Sequence, residues 1–201
     1  MFEPQEVETA QENLVYIRRT LEAAGQFTAV PGKALMCAGA VALGGVAWNL
    51  SVTGAPWDSG FRQPQALLSW GIVLGLALAV VGLGIFRKAQ LMRTPLRAPL
   101  VRKLVWSLSP ALFVGGLLTS MAVRTDRLDG LPAIWLGCYG SAVVNGGQVS
   151  VTPVRYMGLC ILLAAAGAAA TPSSMGLTWL AVGFGWLHLF FGAYIAWRHN
   201  G

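Results

Sequence analysis

Apolar residues gather into six stretches along this chain, near residues 34–52, 66–86, 101–122, 132–149, 154–170 and 176–197. Away from their ends these stretches hold one acidic or basic side chain, His188, in the middle of the last. Each run is close to the roughly 20 residues that a tilted helix needs to cross a hydrocarbon layer of about 30 Å, where charge is costly. The pattern predicts an all-α, six-span transmembrane bundle. Prolines fall at its boundaries: Pro64, Pro99, Pro132 and Pro153 stand at or just before helix starts, where a missing N–H does no harm, and Pro172 follows the fifth run. Pro110 is the exception, inside the third run, and is expected to kink it by depriving the Trp106 carbonyl of its donor.

A different pattern precedes the first run. Val7, Ala10, Leu14, Ile17, Leu21 and Ala24 recur at offsets of three and four, which lines one helix face, and Gly25 and Pro31-Gly32 end it. The chain is therefore expected to divide into a cytoplasmic amphipathic helix, residues 1–30, and a transmembrane domain, residues 31–201. Two surfaces compete for the apolar stripe of that helix: the protein's own cytoplasmic face, and a second protomer in a coiled coil. Binding to anionic lipid is disfavoured, because Glu3, Glu6, Glu8, Glu12 and Glu22 outnumber Arg18 and Arg19. The basic connection from Arg87 to Lys103 is a matching acceptor for that acidic surface.

Composition agrees with a bilayer protein: 55% hydrophobic, 11% charged, mean hydropathy +0.60. The net charge of +6 does not point to nucleic acid, since the cations flank apolar runs instead of interleaving with aromatics on one surface. Eleven of the 14 Lys and Arg residues fall on the side of the amino terminus and of the second and fourth connections; only Arg62, Arg124 and Arg127 fall on the other. The positive-inside rule then puts both termini in the cytoplasm and the protein in the inner, or plasma, membrane. Tryptophan prefers the headgroup level, and this topology places Trp48, Trp57, Trp70, Trp135 and Trp179 near the outer interface, Trp106 and Trp197 near the inner one, and Trp186 at depth. Cys37, Cys138 and Cys160 lie in apolar runs without metal-type spacing and read as small buried residues.

Candidate chemistry is sparse. His188 has Gly185 three residues before it and Gly192 four after, a notched face where another helix or a ligand comes close. Cys138, Ser141, Asn145 and Gln148 are spaced three, four and three apart, so they line one face of the fourth span, and such a stripe is expected to face the bundle interior. At about 1.5 Å per residue, Ser141, Asn145 and His188 reach similar depths, so a shared ligand site of His188, Ser141, Asn145 and Gln148 is one reading. Interhelical hydrogen bonding is the simpler one for both groups. Axial ligation of a haem or chlorin by His188 is a third, and Asn49 reads as a helix-end residue. No Asp or Glu lies within a span, and there is no Walker loop, HExxH or GxSxG motif; Asp126 and Asp129 alternate with Arg124 and Arg127, which reads as local charge neutralisation. Pairs of small residues, Gly71 with Gly75, Ala40 with Gly44 and Ala164 with Ala168, suggest close helix packing within or between protomers.

The segments ENLVYIRRTLEAAGQFTAVPGKA, CYGSAVVNGGQVSVTPVRYMG and GFGWLHLFFGAYIAWRHNG together resemble a group of uncharacterised bacterial multi-pass membrane proteins of about this length. The resemblance implies a bacterial inner-membrane protein and carries over no functional residue. The expectation is a non-enzymatic structural, regulatory or accessory component without a cofactor, whose partners are the bilayer and either a second copy or a membrane complex. A small-molecule or lipid transporter or channel is the first alternative, a redox or pigment-complex subunit the second.

Overall fold

The structure, a computed structural model, describes residues 30–53, 57, 63–91 and 99–198. The amphipathic helix expected over residues 1–30 lies outside the described residues, apart from Val30. Those described are helical almost throughout: α1 (Gly32–Thr53), α2 (Gln63–Leu91), α3 (Pro99–Arg124), α4 (Leu131–Gly147) and α5 (Thr152–Ala170). A 3₁₀ turn (Ser173–Met175) then leads into α6 (Gly176–Leu180), a π-turn (Ala181–Trp186) and α7 (Leu187–Arg198), which run on as one rod. Five of these rods, α1, α2, α3, α5 and Ser173–Arg198, are long and apolar enough to cross a membrane, which marks a multi-pass membrane protein. The sixth element, α4, has 17 residues and spans about 25 Å.

The sequence neighbours α1 and α2, α3 and α4, and α4 and α5 pack antiparallel. Along α3 and α4, Thr119 meets Trp135, Gly115 meets Cys138, and Leu104 meets Gly146. Along α4 and α5, Gly137 faces Ala165, Gly140 faces Leu162, and Gly147 faces Arg155. The α7 rod lies antiparallel to α1, where contact is close enough that a Cβ on Gly192 would stand 2.8 Å from the Gly32 carbonyl oxygen. The Gly185 and Gly192 notch around His188 is therefore where α1 docks, as small residues permit. The centre of the bundle is α1, α4, α5 and the last rod; α2 leans on α1 and α3 on α4, each with most of its surface outward.

The main core joins Leu131, Leu136, Val143, Met157, Ile161 and Leu180 with Trp57 and Trp70, and a smaller one at the other end holds Val30, Leu35, Val151 and Ile195. Helix ends follow local chemistry. Asp126 takes φ 52°, with Arg127 N–H bonded to the Ala122 carbonyl at 2.9 Å and Asp126 N–H to that of Val123 at 3.4 Å. This is a Schellman stop, so the backbone of Asp126 also serves the end of α3. Pro110 does lie inside α3, and Ser109 Oγ donates to the stranded Trp106 carbonyl at 3.4 Å.

Several placements differ from expectation. Asn49 is buried, not a bare helix end: its Nδ2 donates to Ser69 Oγ at 3.0 Å, tying α1 to α2. Cys37 is exposed, and Trp186, though at depth, is 60% exposed on the outside of the bundle. Of the small-residue pairs, Ala164 and Ala168 pack in the core, whereas Gly44, Gly71 and Gly75 meet nothing within 4 Å.

Candidate functional site

His188 is 4% exposed and sits one turn beyond a break in helical register. Between Ala181 and Trp186 the ladder widens to π geometry, so that Leu187 N–H reaches the Val182 carbonyl, five residues back. Where such a ladder returns to α spacing, one carbonyl is passed over. His188 Nδ1 lies 3.1 Å from the carbonyl of Gly183 and supplies its donor. Because a carbonyl only accepts, Nδ1 carries the proton of the neutral ring, and Nε2 is left as an acceptor. The Tyr139 hydroxyl on α4 donates to Nε2 at 2.7 Å. One imidazole thus satisfies a π-turn and bolts it to α4.

Aromatic rings continue this contact toward the start of α4. Tyr139 stacks on His188 with centroids 5.5 Å apart and meets Phe184 edge-on at 5.3 Å. Phe184 touches Trp70 at 6.2 Å, Trp70 touches Trp135 at 6.2 Å, and Trp135 meets Trp57 edge-on at 5.6 Å. Trp57 Nε1 donates to the Leu128 carbonyl at 3.0 Å, and Trp135 Nε1 to Thr119 Oγ1 at 2.9 Å. Trp70 Nε1 is buried with no acceptor. Trp57 and Trp70, expected near the outer interface, are buried in the core and packed with Trp135.

The expected stripe does not join this site. Tyr139, Leu136 and Val143 share the face of α4 turned to the last rod, whereas Ser141, Asn145 and Gln148 lie roughly 160° around the helix from it. Asn145 and Gln148 are exposed and Ser141 is half-buried. The expectation that the stripe faces the interior is corrected for Asn145 and Gln148, and the residue that reaches His188 is Tyr139, one position after Cys138 and about 100° away. Its signal was legible, since a phenol among apolar residues at mid-helix needs a partner for its hydroxyl. Cys138 itself turns to α3, where Gly115 makes room for it.

With both ring nitrogens engaged, His188 has no lone pair to offer a haem or chlorin iron or magnesium unless the Tyr139 bond breaks. No family model, curated protein or solved structure matches this chain.

Proposed function

We propose that this protein is a six-span inner-membrane component with both termini in the cytoplasm, acting as a non-enzymatic structural, regulatory or accessory subunit. The observation that carries this reading is the closed Tyr139–His188–Gly183 linkage: the one basic group at mid-depth is spent on holding the last rod to α4. The six-span count is supported by α4 lying antiparallel to α3 and α5 over its whole length, so a helix too short by itself shares the path of two that are long enough. The cytoplasmic assignment rests on the distribution of Lys and Arg, and the bacterial one on the resemblance of the sequence segments.

Two measurements test the reading. Alkaline phosphatase and green fluorescent protein fusions at the carboxyl terminus are expected to report a cytoplasmic end; periplasmic phosphatase activity there would mean an odd number of spans or an inverted bundle. Liposomes containing the purified protein are expected to pass small neutral and anionic solutes no faster than empty ones. A flux that disappears in His188→Leu would replace the accessory reading with transport. That rival has one specific observation in its favour, the unpaired Nε1 of Trp70, a buried donor that a passing solute would meet.

A further inference from the structure

The outward face of α4 combines features the core does not explain. At the end of the helix Asn145 and Gln148 are exposed amides on a chain otherwise built to meet hydrocarbon, and Ser141 stands one turn deeper on the same face. Two cations bracket them. Arg155 begins α5 directly against the α4 end, where a Cβ on Gly147 would stand 2.7 Å from its backbone nitrogen, and its side chain is exposed. On the other side Leu104 of α3 packs against Gly146, and Lys103 beside it is also exposed. Among the described residues the only carboxylates are Asp126 and Asp129, at the opposite end of α3. The guanidinium, ammonium and amides therefore form a donor-rich patch with no acid within the described part of the bundle to answer it. Deeper along the same side of α5, Leu159 and Leu163 are exposed, 42% and 73%, and offer an apolar track.

We propose that this face binds an anionic phospholipid of the cytoplasmic leaflet, its phosphate held between Arg155 and Lys103 and by the amides of Asn145 and Gln148, with an acyl chain along Leu159 and Leu163. Charge complementarity selects this occupant: cations at the inner end of helices attract anionic headgroups, and Asn and Gln donate to phosphate oxygens while a zwitterionic headgroup brings its own counter-charge. The inference rests on reading α4 and α5 as crossing helices with this end at the cytoplasm.

The test uses the full chain purified in neutral detergent, offered equimolar phosphatidylglycerol and phosphatidylcholine, with retained lipid counted by native mass spectrometry. At roughly fivefold per cation near the surface, the phosphatidylglycerol adduct is expected to exceed the phosphatidylcholine adduct about tenfold or more. Arg155→Gln is expected to reduce it about fivefold, Asn145→Leu to reduce it measurably, and Arg124→Gln, at the opposite end of α3, to leave it unchanged. Excess inorganic phosphate is expected to leave the lipid in place. Equal retention of the two lipids, full retention in Arg155→Gln, or displacement by inorganic phosphate would each overturn the proposal. So would a large rise in bound phosphatidylglycerol on changing the five amino-terminal glutamates to glutamine, since those carboxylates would then be the occupant. A chain stripped from membranes by alkaline carbonate would remove the membrane reading itself; a carbonate-resistant chain without lipid preference removes only the lipid site.

Discussion

Two faces of α4 carry polar groups and meet opposite fates. On the inward face Tyr139 is stacked on His188, bonded to it, and walled by Phe184 and the tryptophans. On the outward face Ser141, Asn145 and Gln148 look away from the bundle, the first half-buried and the last two exposed. Inside, a lone phenol is enclosed because its hydroxyl and both nitrogens of the facing imidazole are bonded; outside, a richer polar stripe is left for surroundings the chain does not supply. The same contrast separates whole helices. About a third of the first and last spans is buried, 33% in each, against 6% of α3, although all are similarly apolar. Hydropathy reports fitness for a bilayer, while burial reports which side of each helix meets protein.

The contrast breaks or sharpens with graded substitutions, compared by reversible unfolding in mixed detergent. The largest loss is expected for Leu136→Ala. That side chain is 0% exposed and fills the space against Gly183 of the π-turn, so truncation leaves a cavity costing about 2 to 4 kcal/mol. Next is His188→Leu, which strands the Tyr139 hydroxyl and the Gly183 carbonyl together and is expected to cost about 2 to 3 kcal/mol. Tyr139→Phe removes only the bond to Nε2 and should cost about 1 kcal/mol, in the range of interhelical polar contacts in membranes. In the double variant, the two losses should add to less than their sum, because both remove the same bond. The smallest effect belongs to the outward face, where Asn145→Leu should shift stability by less than about 0.5 kcal/mol. An Asn145→Leu loss equal to that of His188→Leu would show that the two faces are not distinct in the way their burial indicates.

Much of the scaffold was legible in advance. Among the described residues the six helical rods lie within a few residues of the apolar runs, because run length and proline placement act locally and the bilayer demands an uninterrupted hydrogen-bonded rod. The glycine notch beside His188 was legible too, as a face with room for a neighbour. Its neighbour was not: spacing assigns Cys138, Ser141 and Asn145 to one side of α4 but leaves open the direction in which that side points. Asn49 failed for a related reason. Its position suggested only a helix-end residue, and the approach of Ser69 from α2 makes it a buried link. The π-turn left no signature strong enough to read, since Ala181 to Trp186 is as apolar and as glycine-rich as the α-helical turns around it.

By itself the sequence determined that this is a chain of apolar rods with one basic residue at mid-depth and no intramembrane carboxylate, because those properties depend on residue identity and short spacing alone. Tertiary structure decided the rotation of each rod about its axis. That rotation depends on which glycines let which backbones approach, and it is what joined His188 to Tyr139, gathered Trp57, Trp70 and Trp135 into a core, and turned the stripe of Ser141, Asn145 and Gln148 outward.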